Sequence, residues 1–269
     1  MEPDSIFRPR REERDNLGRT TERTLDDGTS DELIREEPLM LRISGEPLLT
    51  MRTPGDDAAL GLGFVLSEGL VTSPADVLEL SSSNGELVIA LVATAAPRVK
   101  QRLARTHEIR ASCGLCGLRD AEHLLDDLPP LLSGSPKLEL ERLAAFEHAF
   151  RARQAAFSAT GGCHAAALFA QDGTVLGFGE DVGRHNALDK AIGFAARAGH
   201  PLERAIAMLS GRAGFDLVLK CLRLRVPVVL SMSAPSSLGF DLCEQSGATL
   251  IGFVRDGKGK VYTDSGRIA

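Results

Sequence analysis

Residues 206–254 read IAMLSGRAGFDLVLKCLRLRVPVVLSMSAPSSLGFDLCEQSGATLIGFV, and this stretch decides the fold class. Ile206 to Leu209, Val228 to Ser231 and Thr249 to Val254 are apolar runs too short for helices, bounded by Gly, Pro and Ser. Between them, Phe215 to Leu224 and Leu238 to Gln245 carry apolar residues at helical spacing. Short buried strands that alternate with helices predict a sheet with parallel members and helices on its faces. Upstream, Ala165 to Phe169 and Val175 to Phe178 flank an Asp172-Gly173 turn and predict a strand pair. A helix from Asn186 to Ala198, closed by Gly199, follows them. The expected class is α/β, a central mixed sheet flanked by helices, with a smaller N-terminal α+β region.

That N-terminal region spans residues 33–110. Leu39, Leu41 and Ile43 alternate as a strand does, Ser44-Gly45 turns the chain, and Pro47 to Met51 returns it. Thr53 reads as a helix N-cap, with Pro54 at the first helical position and Asp56 and Asp57 in the first turn. Ala58, Leu62, Val65 and Leu66 form that helix's apolar face, and Gly69 ends it. Two more strands, Val77 to Leu80 and Leu87 to Val92, surround a Ser-Ser-Ser-Asn-Gly turn. The pattern loosens from Pro97, and residues 111–136 predict a flexible loop that carries a CxxC motif. Residues 137–269 form the expected core domain, opening with a long helix faced by Leu143, Phe146, Phe150 and Phe157. Residues 1–32 are a charged tail of mixed sign with no apolar period, expected to stay disordered. No internal repeat recurs at a fixed period.

The chain has 269 residues, 43% of them apolar and 25% charged, the composition of a globular protein with a real core. With 31 Lys and Arg against 37 Asp and Glu, the net charge of −6 argues against a nucleic-acid coat. No apolar run reaches the roughly 18 residues of a membrane span, and the N-terminus lacks a secretory h-region. A cytoplasmic setting is expected. Five cysteines are too few, and odd in number, for a disulfide framework there.

Cys113-Gly-Leu-Cys116-Gly is the sharpest chemical feature. Flanking glycines leave the backbone open, and upstream arginines favour the reactive thiolate. Four readings compete: half of a zinc site completed by Cys163-His164, a thioredoxin-like redox pair, a nucleophile that carries sulfur as a persulfide, and a structural thiol pair. Cys221 and Cys243 fall inside helical patterns and read as buried small hydrophobes, as does Cys163. His164 reads as a hydrogen-bonded group at the edge of a site. Glu180 to Lys190, including His185 and an Asn186 helix cap, packs polar residues at a strand-to-helix junction, where α/β sheets bind ligands. Ser210-Gly211-Arg212 and Ser231-Met232-Ser233 follow successive strands, and two such loops suit a phosphate-bearing ligand.

Taken in order, SCGLCG, TGGCHAA, EDVGRHNALDK, SGRAGFD, SAPSSL and FVRDGK resemble the formate dehydrogenase accessory sulfurtransferases, the FdhD family. The stretch EEPLMLRISGEPLLTMRTPGDDAALGLGFVLSEGL also matches that family, and the resemblance covers residues 36–263. It implies a cytidine deaminase-like fold. The deaminase zinc signature is not met, since Ala165 and Ala166 follow His164 and no P-C-x-x-C comes after. The resemblance implies a sulfur carrier with Cys113 as persulfide bearer and Cys116 as helper or alternative acceptor. A cysteine desulfurase would load it. The client would be the molybdenum cofactor, Mo-bis(molybdopterin guanine dinucleotide), serving the formate dehydrogenase catalytic subunit, with guanosine diphosphate (GDP) as a possible analogue. Phe253, Val254, Arg255, Asp256, Gly257 and Lys258 would contact that cofactor. The resemblance implies a homodimer; no metal is expected, and charge and hydropathy predict no nucleic-acid or membrane partner. One departure is Cys163, where the family more often carries a small non-thiol residue. The rival class is a non-catalytic zinc-binding or molybdenum-cofactor-binding module.

Overall fold

The computed structural model describes residues 18–106 and 128–269. Cys113 and Cys116 lie outside them, as does most of the CxxC loop. The stretch that decides the fold class forms the expected strands almost to the residue: β9 (Ile206–Leu209), β10 (Val228–Ser231) and β11 (Thr249–Arg255). They run parallel, because each is joined to the next by a helix, α6 (Phe215–Arg223) or α7 (Ser237–Ser246). The hairpin β7 (His164–Phe169) and β8 (Val175–Asp181) adds antiparallel on one side, and β12 (Lys258–Thr263) adds antiparallel on the other. The order is β12-β11-β10-β9-β7-β8.

Strand residues alternate between the two faces. Ala166, Leu168, Ala207, Leu209, Val229 and Leu250 belong to one apolar cluster, with α5 (Arg184–Arg197), α6 and α7. Ala165, Ala167, Phe169, Ile206, Met208, Val228, Leu230 and Ile251 belong to the other. There they meet Phe146 and Phe150 of α3 (Leu143–Arg151). Phe146 stands edge-on to Phe169 at 5.1 Å between ring centres.

The N-terminal unit is a second sheet, order β4-β3-β6-β5, built from β3 (Glu37–Ile43), β4 (Glu46–Arg52), β5 (Val77–Ser83) and β6 (Glu86–Leu91). Its helix α1 (Asp57–Ser67) packs against α5, and the approach is close because two glycines meet backbone. A Cβ on Gly63 would fall 1.7 Å from the Asp189 carbonyl oxygen, and one on Gly193 would fall 1.9 Å from that of Ala59.

Several elements differ from expectation. Residues 20–34 form a hairpin, β1 (Thr20–Thr24) with β2 (Ser30–Ile34), of which residues 20–32 fall in the stretch predicted to be an unstructured tail. Ile34 packs against Gly162, a long-range contact that a local reading of charge misses. Past Pro97 the chain continues as α2 (Ala96–Thr106), with Val99 and Leu103 buried. The long helix expected around Leu143 is two pieces, α3 and the short α4 (Ala155–Thr160). Thr53 does not cap α1; Asp56 holds that position in a left-handed conformation, and Thr53 is turned inward toward Asp181. Asn186 does not cap α5, whose N-cap is Gly183.

Candidate functional site

Five strand termini meet at one edge of the central sheet. They are the start of antiparallel β7 and the ends of β8, β9, β10 and β11. A cavity of about 780 Å³ opens there, lined by Cys163 and His164, Ser210 and Gly211, Met232 and Ser233, Phe253 and Arg255. From the other side come Arg151, Gln154 and Phe157, with Gly161 and Gly162. That volume lies in the range of about 300–1,000 Å³ that small-molecule sites occupy.

The loops that follow β9 and β10 are tied together by backbone. Met232 N–H donates to Leu209 at 2.9 Å, Ser236 N–H to Ala213 at 3.0 Å and Phe253 N–H to Ser233 at 3.1 Å. The buried Ser231 hydroxyl donates to the Gly211 carbonyl at 2.7 Å and accepts from Ser233 N–H. Ser210 Oγ accepts from Ala165 N–H at 2.9 Å, which anchors the first loop to β7. The rim of the cavity is therefore rigid, and small residues on it leave the backbone open.

Two aromatic side chains stand exposed at this rim, Phe157 at 43% and Phe253 at 51%. Phe253 has a φ of 53° and lies in an irregularity between Gly252 and Arg255. A left-handed phenylalanine within a strand costs about 1–3 kcal/mol, and such strain is retained where function uses it. The twist turns the ring out of the sheet and over the opening. Phe157 was expected on the buried face of a long helix. The break between α3 and α4 rotates it outward, a change that spacing alone does not signal.

Arg151 and Arg255 bring positive charge to the cavity. Arg151 also holds Glu147 at 2.9 Å. The Glu147 carboxylate accepts from Gly257 N–H at 3.1 Å, so the tip of the β11–β12 hairpin rests on α3. Burial opposes the Glu147 charge, but the Gly257 N–H and Arg151 outweigh it and hold its pKa below the carboxylate range.

The six residues expected at the cofactor divide in the structure. Phe253 and Arg255 line the cavity. Val254 is fully buried in the core. Asp256 and Gly257 both have positive φ and form the two-residue turn of a hairpin in which Arg255 faces Lys258. Lys258 is exposed beyond that turn and is not part of the cavity lining.

Cys163 is buried at the cavity wall, with Sγ 3.6 Å from a Glu180 oxygen. Burial, then the Glu180 carboxylate, pushes its pKa up to about 12. Burial does the same to Cys221 and Cys243, both about 12. These thiols stay protonated and unreactive at neutral pH. Glu180 also accepts from Ala156 and Phe157 N–H at 3.0 and 2.9 Å, fixing the start of α4. Among the described residues, no three His, Cys, Asp or Glu side chains converge as metal ligands.

The Glu180 to Lys190 motif is mostly not at the cavity. Asp181 and Lys190 are fully buried and paired at 2.8 Å. Lys190 donates to the Thr53 carbonyl at 2.9 Å, and Asp181 accepts from Thr53 N–H at 3.1 Å. Asn186 donates to the Met51 carbonyl. Nearby, Asp189 accepts from Ser67 at 2.7 Å and pairs with Lys220 at 2.8 Å. Burial disfavours the Lys220 charge, but Asp189 and Glu68 outweigh it and raise its pKa. These contacts bolt the N-terminal unit to the core. His185 lies 3.6 Å from Asp216, between the starts of α5 and α6, and Arg212 is exposed outside the cavity lining.

The model of the FdhD/NarQ family matches residues 34–269. The chain belongs to the FdhD/NarQ family. A sulfur carrier protein FdhD from Streptomyces avermitilis is 41% identical over 279 aligned positions, covering 94% of this chain and 97% of the relative. One from Mycobacterium tuberculosis is 40% identical, covering 87% of this chain and 90% of its own. The fold is shared with a crystal structure of a protein assigned as a formate dehydrogenase accessory protein, from Desulfotalea psychrophila. That structure matches with a TM-score of 0.72 at 23% identity, over 93% of this chain and 97% of the other. Among the described residues, no helix is long and apolar enough to cross a membrane.

Proposed function

We propose that the chain is a sulfur carrier, a sulfurtransferase that prepares the molybdenum cofactor of formate dehydrogenase. Support comes from its membership of the FdhD/NarQ family and from relatives at about two-fifths identity that are named sulfur carriers. Cys113 thiolate attacks the terminal sulfur of a persulfide on a cysteine desulfurase. A new S–S bond forms at Cys113, the desulfurase S–S bond breaks, and the desulfurase cysteine leaves as thiolate. Cys116 serves as helper or alternative acceptor. The other three cysteines are buried, with thiols held far above neutral pH, which leaves Cys113 and Cys116 as the pair suited to carry sulfur.

The client, Mo-bis(molybdopterin guanine dinucleotide), is the substrate that receives the sulfur. The observation that carries its placement is the cavity at five strand termini, with exposed Phe157 and Phe253 and the cations Arg151 and Arg255. Aromatic faces suit a planar base, and guanidinium groups suit phosphates. Its volume fits a nucleotide-sized portion of that substrate, and GDP is the matching analogue. We read the sheet as cytidine deaminase-like, which the order β8-β7-β9-β10-β11 with an antiparallel β7 supports. The protein works as a cytoplasmic homodimer with the formate dehydrogenase catalytic subunit as its final partner. Its parts are a tail, an N-terminal unit, a CxxC loop and a core domain.

Complementation of a strain that lacks its own carrier tests this. Cys113→Ala should abolish formate dehydrogenase activation, and Cys116→Ala should reduce it less. Full activation by Cys113→Ala would refute the assignment.

A further inference from the structure

His164 is a polar side chain in the cavity for which the sulfur-carrier account has no role. It is half-buried at the first residue of β7 and faces the opening. A Cβ built on Gly211 would lie 3.5 Å from His164 Nδ1, so the ring abuts the open loop after β9. Its ring nitrogens meet no hydrogen-bond partner among the described residues. Its cross-strand neighbour Asp181 is committed to Lys190, Thr53, Gly183 and Asn186. Cys163 beside it is turned to Glu180. From the start of α5, Arg184 and His185 add positive potential at the ring. Arg151 of α3 and Arg255 of β11 share the cavity with it.

We propose that His164 takes up a proton when a diphosphate group enters this cavity, and holds that group as an imidazolium. The proposal rests on the nucleotide placement argued above and adds a proton to it. Burial, then Arg184 and His185, keeps the free imidazole below its ordinary value, with Asp181 opposing. The free ring is therefore biased toward its neutral form. An incoming diphosphate supplies the opposite charge that the site withholds, and an anion within a few ångströms favours the protonated form. Because binding raises the ring's pKa, binding tightens as pH falls. The gain is complete below the free-state pKa and gone above the bound-state pKa. Such a site grips phosphates through a group that lets go again when it loses its proton.

The probe is GDP-mannose, a diphosphate diester. Unlike GDP it has no terminal phosphate that titrates near pH 6. Titration calorimetry at about pH 5.5 and about pH 8, in two buffers of different ionisation heat, reads both affinity and protons bound. The wild type should bind about tenfold more tightly at the lower pH, with net proton uptake. His164→Gln should lose the uptake and the pH dependence, with affinity at the higher pH within about threefold of wild type. His185→Gln should keep both. Binding without proton uptake in the wild type, or equal uptake in His164→Gln, overturns the inference and leaves the nucleotide site standing. No binding at either pH overturns both.

Discussion

The strand-end cavity and the seam between the N-terminal unit and the core are built from adjacent stretches of chain and the same polar residue types. At the seam, Asp181, Lys190, Asp189, Lys220 and Ser67 find one another or backbone. At the cavity, Arg255, His164 and two phenylalanines face open space. A run of charged residues at a strand-to-helix junction is thus compatible with either a strut or a site. What separates them is whether the fold has already satisfied the charges. Satisfied groups hold the molecule together, and unsatisfied ones are left to meet a ligand.

That contrast is open to direct attack. Lys190→Met strips Asp181 of its ion-pair partner in a fully buried position. We expect a loss of about 3–5 kcal/mol in urea unfolding, since an unpaired buried charge is costly. A loss below about 1 kcal/mol would mean the seam is not a strut. On the cavity side, Arg255→Ala should weaken GDP binding by about 1.5–3 kcal/mol, roughly ten- to a hundredfold, with little change in unfolding. Lys258→Ala, beyond the hairpin turn, should change affinity less than about threefold in the same calorimetry. Equal losses for the two would draw the whole turn into the site.

A further test concerns acid. Glu68 lies beside Lys220 and Arg223. Burial works against its charge, but these cations lower its pKa from 4.5 to about 2. A depressed carboxyl stabilises the fold above its unfolded pKa, and that stability drains as pH falls toward the folded value. Between pH 4.5 and about 2, wild type should lose about 1–2 kcal/mol more than Glu68→Gln, after allowance for partial solvent screening. Parallel pH curves for the two proteins would remove Glu68 from the seam.

The sequence made the parallel strands legible because each is a short apolar run closed by Gly, Pro or Ser. It made β12 and α2 hard to see. β12 (KGKVYT) is half polar because it is an edge strand, and α2 sets the buried Val99 and Leu103 among basic residues. The β1–β2 hairpin was hidden for another reason: Thr20 bonds to Glu32 across the strands and Arg19, just before β1, pairs with Asp56, contacts that composition cannot report. In the site, Ser210, Gly211 and Ser233 were foreseeable from loops on successive strands, and Phe253 and Arg255 from the family resemblance. Arg151, Gln154 and Phe157 were not, since they reach the cavity only through the break between α3 and α4. A phenylalanine at helical spacing carries no sign of facing outward. The motif at Glu180 to Lys190 misled in the opposite direction, because charge density reads the same whether it awaits a ligand or a second sheet.

The central claim is that this chain carries sulfur on Cys113, and intact mass after incubation with a cysteine desulfurase and cysteine tests it most directly. The account predicts a gain of one sulfur, about 32 Da, that dithiothreitol removes, as expected of a reversible persulfide. Peptide mapping should place it at Cys113, and Cys113→Ala should abolish it. No mass gain, or a gain mapped to Cys163, Cys221 or Cys243, would contradict the account.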